Sequence, residues 1–168
     1  DPLFELADGA TLKNVILGSP AADGIHCRGT CRLENVWWED VGEDAATLLG
    51  SNPSQVMTIT CGGAKQADDK VFQHNSPGTM RIEHFQAEDF GKLYRSCGNC
   101  SSQYGRHVEF SDVTVKSGGV LAGINTNYED TAKFENITIH DPAMKMGICD
   151  RFTGNNTGAE PPKTGSGA

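Results

Sequence analysis

Three carboxylates of this chain stand just before short apolar segments, where they could act together. Asp23 precedes one such segment, and the pair Glu43 and Asp44 precedes the next. Side-chain oxygens of Asp and Glu are the ligands that calcium prefers in proteins. The three residues are therefore a candidate calcium site, provided that the fold brings Asp23 beside the other two.

Basic residues occupy the matching places farther along the chain. Lys70 follows Asp69, and Lys92 and Arg95 belong to the next segment. Calcium beside these cations could bind a sugar carboxylate and acidify the hydrogen on the adjacent carbon, as β-elimination of a glycosidic oxygen requires. Lys70 is the better candidate base, because a lysine loses its proton when its pKa falls, and nearby cations are expected to lower it. Arg95 suits gripping a carboxylate or stabilising the enolate-like charge.

A short repeated pattern indicates which elements position these residues. The pattern is an apolar residue, any residue, Asn, Asp or His, and a second apolar residue. It starts at residues 12, 33, 82, 110 and 134, and the weaker strand 56–60 fills the long gap. Six units of about 24 residues each are typical of a stacked repeat architecture.

The third position of the pattern predicts a bend in every unit. Asn, Asp and His are the residues other than Gly that most often adopt the left-handed backbone conformation. Each pattern is followed by a second short apolar strand; these strands lie at residues 24–27, 45–49, 71–74, 93–95, 120–122 and 146–149. The sequence therefore predicts an all-β, single-domain, right-handed parallel β-helix. A β-sandwich is the alternative, but it needs no repeated bend residue.

The predicted solenoid would align the charged residues into one stripe. Equivalent positions of successive coils stack about 4.8 Å apart in a parallel β-helix. The residues that precede the second strands would then form a surface stripe with an acidic end and a basic end. The alternative interpretation is a weak network of solvated surface ion pairs.

Composition and charge limit the classes of partner. The 168 residues carry a net charge of −8, which argues against nucleic-acid binding and would repel a polyanion unless a cation or a basic patch intervened. No stretch approaches 18 apolar residues, so the sequence predicts no membrane span. Residues 1–153 are predicted to form the domain, and the Gly-, Pro- and Thr-rich residues 154–168 a flexible tail.

The six cysteines favour disulfides in an oxidising compartment over a zinc site. Two close pairs, Cys27 with Cys31 and Cys97 with Cys100, are too far apart along the chain for ordinary zinc-finger spacing. The spacing alone does not give the connectivity. Three Asn-x-Ser/Thr sequons, beginning at residues 99, 136 and 155, fit secretion from a eukaryote.

Five segments contain the charged residues and their neighbours: 22–27 (ADGIHC), 36–45 (VWWEDVGEDA), 69–75 (DKVFQHN), 91–97 (GKLYRSC) and 123–125 (GIN). In this order they closely resemble the polysaccharide lyase family 3 pectate lyases, from about Phe4 to about Gly154. The resemblance implies a right-handed parallel β-helix, secretion, calcium dependence and cleavage of the de-esterified pectin, or polygalacturonate, of plant cell walls.

The resemblance also implies roles for individual residues. They are the calcium ligands Asp23, Glu43 and Asp44, the base Lys70, and the contacts to the substrate carboxylate and transition state Lys92 and Arg95. Arg95 is the second candidate for the base. We expect a monomer.

Two rival functions use other features of the sequence. A non-catalytic pectin-binding or host-recognition protein could keep the same scaffold, although every charged position of the predicted site is filled. Asp68 and Asp69 could be the paired carboxylates of a hydrolase. However, β-helical polygalacturonases need motifs resembling Gly-His-Gly and Arg-Ile-Lys, and neither tripeptide occurs in the sequence.

Overall fold

This computed structural model describes residues 1–167 of the chain. These residues form eleven strands and one short 3-10 helix, Thr126–Tyr128. The strands are β1 (Phe4–Leu6), β2 (Thr11–Leu17), β3 (Ile25–Cys27), β4 (Cys31–Trp38), β5 (Ala46–Leu48), β6 (Val56–His74), β7 (Gly78–Ser96), β8 (Arg106–Asn125), β9 (Thr131–His140), β10 (Gly147–Phe152) and β11 (Lys163–Ser166). Among these described strands, pairing is parallel from coil to coil, and only β10 with β11 is antiparallel.

Two columns of aligned residues confirm the predicted right-handed parallel β-helix. The first column contains the starting residues of the repeated pattern together with Ile59 from the strand that fills its gap: Leu12, Leu33, Ile59, Ile82, Phe110 and Phe134. The second column runs through the predicted second strands: Ile25, Ala46, Phe72, Tyr94, Ala122 and Cys149. Strands β6, β7 and β8 are long because each continues around a bend from one face to the next.

The predicted bend residues all adopt the left-handed conformation. Their φ angles lie between 47° and 59°, and the residues are Asn14, Asn35, Cys61, His84, Asp112 and Asn136. Cys61 occupies this position in the weak unit, where the sequence does not show the full pattern. A second left-handed position follows five residues later in three coils, at Gln66, Asp89 and Ser117. The sequence analysis did not identify this second corner.

The core runs along the inside of the coils. Alternate strand residues point inward, so Leu33, Ile59 and Ile82 are fully buried. Each such side chain contributes about 1.5–3 kcal/mol by leaving water. Alternation also places the two neighbouring tryptophans on opposite faces: Trp38 is buried against Phe72, whereas Trp37 is 38% exposed.

Two disulfides join the cysteines that are close in sequence, Cys27–Cys31 and Cys97–Cys100. Cys61 is an exposed thiol and Cys149 a buried one. The segment predicted as a flexible tail is only partly irregular, because residues 163–166 form β11 and pair with β10. Ala168 lies outside the described residues, and the domain division after residue 153 stays a prediction.

Candidate active site

The residues of the charged stripe lie at equivalent positions on successive coils, just before the second column of aligned residues. Ile25, Ala46, Phe72 and Tyr94 are aligned across four coils. The residues two places before them are Asp23, Asp44, Lys70 and Lys92, and the register pairs Lys70 directly with Lys92. The fold therefore brings residues that are far apart in sequence to equivalent places on neighbouring coils.

The acidic end contains two interacting carboxyl groups. The hydrogen bond between Asp23 and Glu43 holds the pKa of Asp23 below its ordinary value and raises the pKa of Glu43. The amino group of Asp1 lies 3.2 Å from Asp23 Oδ2 and also favours ionised Asp23. Two carboxylates held this close repel each other, so the pair favours either a shared proton or a bound cation.

Asp44 adds a third carboxylate beside this pair. Burial raises the pKa of Asp44, and Lys70 partly opposes this effect. Its Oδ1 atom is buried without a hydrogen-bond partner, although Lys70 Nζ lies 3.6 Å away. A buried carboxylate oxygen without a partner is costly unless a positive charge satisfies it.

The chemistry of these donors fits calcium, although the side chains do not form a ready-made cluster. Within residues 1–167, no group of three or more His, Cys, Asp and Glu side chains could already hold a metal ion. The interacting pair of Asp23 and Glu43 and the unpartnered oxygen of Asp44 nevertheless supply the oxygen-only ligands that a hard cation prefers.

Lys70 makes ion pairs that oppose the expected fall in its pKa. Lys70 Nζ donates a 2.6 Å hydrogen bond to Asp69 Oδ2. Burial lowers the pKa of Lys70, but this hydrogen bond and the charges of Asp44 and Asp69 outweigh burial, so the net shift is upward. Among the described residues, the carboxylates of Asp69 and Asp44 therefore oppose the lowering of this pKa that neighbouring cations are expected to cause. The sequence analysis did not consider the charge of Asp69, whose Oδ1 also lies 4.0 Å from Lys92 Nζ.

Arg95 is buried and held by several contacts. Its guanidinium donates to the carbonyl oxygen of Ser96 at 2.7 Å and to Asn125 Oδ1 at 3.0 Å. The guanidinium carbon lies 3.9 Å from the centre of the Phe152 ring. Burial lowers the pKa of Arg95 to about 10, although Asp130 opposes the shift. The environment therefore favours loss of a proton from Arg95 far more than solvent does.

One open pocket of about 200 Å³ brings Lys70, Lys92 and Arg95 together. The three predicted calcium ligands do not line it, but Asp44 contacts Lys70 at its edge. The sequence analysis named Asp69 but gave it no role in this site, and it did not identify Phe152, Glu160 and Pro161. No signal in the sequence pointed to the last two, since their segment shows no apolar pattern.

A larger cavity of about 490 Å³ lies elsewhere on the coils. Trp37, Gln86 and Thr114 line it, and none of the predicted site residues does. Size alone therefore does not identify the site where charged groups converge. Within residues 1–167, the chain has no helix with the length and apolar character that spanning a bilayer requires.

A family model described as Pectate lyase matches residues 1–158. The chain is 52% identical to the probable pectate lyase E of Neosartorya fischeri, over 99% of this chain and 64% of that protein. It is 50% identical to the pectate lyase E of Emericella nidulans, over 99% of this chain and 64% of that protein. The chain thus spans a little less than two thirds of the length of these relatives.

Solved structures of pectate lyases are similar to this chain in fold. The pectate lyase Pel3 from Pectobacterium carotovorum matches with a TM-score of 0.87 and 35% identity, over 98% of this chain and 54% of that one. The pectate lyase PelI from Erwinia chrysanthemi, solved in complex with tetragalacturonic acid, matches with a TM-score of 0.77 and 35% identity. That alignment covers 95% of this chain and 65% of that one.

Proposed function

Because the chain belongs to the pectate lyase family, we propose that it is a secreted, calcium-dependent lyase that cleaves de-esterified homogalacturonan by β-elimination. The observation that carries the proposal is the convergence of Lys70, Lys92 and Arg95 in one pocket, next to the acidic residues of the neighbouring coils. The ligand of the PelI structure, tetragalacturonic acid, supports a polyuronate as the substrate class.

Lys92 and Arg95 would bind the uronate carboxylate in this pocket. Arg95 is already oriented by Ser96 and Asn125, so little side-chain freedom is lost when it grips an anion. Calcium held by Asp23, Glu43 and Asp44 would neutralise the sugar carboxylate and draw electron density from it.

Lys70 is the proposed base. Its neutral amine would take the proton from the carbon next to the carboxylate, and the C–H electron pair would become the new carbon–carbon double bond. The bond to the glycosidic oxygen breaks, and this oxygen leaves with its electron pair and takes a proton from solvent. Cations in the pocket stabilise the negative charge that develops on the carboxylate side.

Arg95 is the second candidate for the base because of its buried environment. Its pKa of about 10 brings a guanidinium, which is normally always protonated, close to the ordinary range of lysine. Lys70, by contrast, is held in its charged form by Asp69 and Asp44. Both residues line the same pocket, so the assignment needs an experiment that treats them separately.

Release of unsaturated uronide ends, measured by ultraviolet absorbance, tests the proposed function. With polygalacturonate at alkaline pH, we expect absorbance to rise in calcium and to stop rising after chelation, while circular dichroism still reports folded β structure. Activity that survives chelation would contradict the role of calcium. No product from folded, calcium-loaded protein that still binds pectate would instead support the non-catalytic binding protein.

A further inference from the structure

The segment 155–162, called here the C-terminal arm, is pinned beside the candidate active site. The backbone amide of Asn155 donates to the carbonyl of Gly98 at 2.9 Å. Gln103 Nε2 donates to the carbonyl of Asn155 at 2.8 Å, and Asn99 Nδ2 to that of Gly158 at 3.4 Å. These bonds fix the arm to the loop after β7, which the disulfide Cys97–Cys100 closes.

The arm forms a wall of the pocket that contains the three cations. Its residues Glu160 and Pro161 line this pocket together with Arg95. A Cβ atom at Gly98 would lie 2.5 Å from Pro161 Cγ and 2.5 Å from Arg95 Nη2. Only a glycine therefore lets the arm and the guanidinium pack against the same point of the loop.

The carboxylate of Glu160 changes the charge of this pocket. The lining contains three cations and two carboxylates, and the carboxylate of Asp69 is engaged by Lys70 at 2.6 Å. Glu160 is exposed and makes no salt bridge or side-chain hydrogen bond among residues 1–167. Its charge acts on Arg95, where it opposes the lowering of the pKa by burial. Glu160 lies just beyond residues 1–158, which the family model matches.

We propose that Glu160 is a specificity-determining residue, which weakens binding of a free uronate and so reduces the preference for it over a methyl-esterified sugar at the subsite beside the C-terminal arm. The inference rests on the proposed function, because it takes a galacturonate chain as the ligand of the pocket. The physical reason is repulsion between like charges, which a methyl ester removes because it is uncharged. The three cations of the pocket attract the anion, so Glu160 adjusts how strongly the pocket prefers the free uronate over the methyl-esterified sugar.

Glu160→Gln tests this proposal, with Glu135→Gln as the matched control. Glu135 is exposed on β9, does not line the pocket and loses the same charge on substitution. Calorimetry would measure binding of trigalacturonate and of its methyl ester to both variants and the wild type. We expect Glu160→Gln to bind trigalacturonate about two- to fivefold more tightly, with binding of the methyl ester unchanged. The gain should shrink at high salt because salt screens exposed charges.

The two ligands separate failure of this inference from failure of the proposed function. Equal shifts for both ligands, or equal shifts in Glu160→Gln and Glu135→Gln, would overturn the role of Glu160 even if the wild type releases unsaturated product. If the wild type binds both ligands without turnover, the lyase function fails, but the charge preference is still measured. A wild type that binds neither ligand would overturn both proposals.

Discussion

At the scale of single residues, charge partners decide what each member of the candidate site can do. Lys70 and Arg95 are both cations in one pocket, yet their pKa values shift in opposite directions. Asp69 and Asp44 raise the pKa of Lys70, whereas burial lowers the pKa of Arg95. The type of a side chain therefore suggests a role, and its contacts decide the free energy needed to reach the protonation state that this role requires.

Chemical rescue separates the two candidate bases. If Lys70 is the base, Lys70→Ala should lower kcat by about 10²–10⁴-fold, since general-base catalysis contributes that much. Added primary amines should restore part of the activity, measured as release of unsaturated ends, while pectate binding is largely retained. Lys133→Ala removes an exposed lysine that does not line the pocket and serves as the control.

The opposite pattern would assign the base to Arg95. In that case Arg95→Ala would be rescued by guanidinium ions, and amines would not rescue Lys70→Ala. Loss of pectate binding together with activity in Lys70→Ala would show that Lys70 supports the local structure or the binding of substrate.

At the scale of the coil, the left-handed bends set the shape of each repeat. The same column of positions holds Asn, Asp, His or Cys, and neighbouring members contact one another: Asn35 donates to Asn14, and His84 Nδ1 lies 3.6 Å from Asp112 Oδ2. Side chains with a branched Cβ are disfavoured in this conformation. The left-handed backbone conformation therefore limits which residues are tolerated at the bend positions, and side-chain contacts between coils are a second constraint.

Substitution of His84 tests the bend column. His84 has a φ of 47° and an exposed side chain, so His84→Val should reduce the free energy of unfolding by about 1–2 kcal/mol through backbone strain. His84→Gly tolerates the positive φ and should stay near the wild-type value. Urea denaturation of the two variants makes the comparison, and equal losses would point to the side-chain contact with Asp112 instead.

At the scale of the whole molecule, the stacked coils bury polar groups inside a continuous core. His74 is fully buried, with Nδ1 2.7 Å from the hydroxyl of Tyr94. Burial, with help from the charges of Arg106 and His107, lowers the pKa of His74 to about 3. The folded protein therefore keeps this imidazole neutral where an unfolded chain would protonate it.

This shift predicts a loss of stability in mild acid. The unfolded state binds a proton at His74 below about pH 6.5, whereas the folded state does so only near pH 3. Neutral His74 therefore costs no stability above pH 6.5. The free energy of unfolding then declines as the pH falls from 6.5 to 3, by at most about 5 kcal/mol. Denaturation of the wild type and of His74→Gln between pH 7 and pH 4 should give a flatter dependence for the variant. Parallel curves would show that His74 does not titrate in this way.

The sequence alone determined the fold and the residues of the charged stripe, for physical reasons that are local or periodic. Apolar residues at the same place in every repeat specify coils of similar length, and Asn, Asp and His mark the bend that each coil needs. Once the coils stack, Asp23, Asp44, Lys70 and Lys92 must fall at equivalent positions, so their alignment follows from the repeat. The membership of the family was likewise readable from ordered motifs within this stripe.

Only the tertiary structure decided the charge balance of the pocket and the course of the C-terminal arm. The direction of the Lys70 pKa depends on its distance from Asp69 and Asp44, which no spacing rule gives. Residues 155–162 show no apolar period because single hydrogen bonds to the loop after β7 hold them, without a repeated core face. Glu160 thus reaches the pocket from a segment whose sequence predicts nothing about its position.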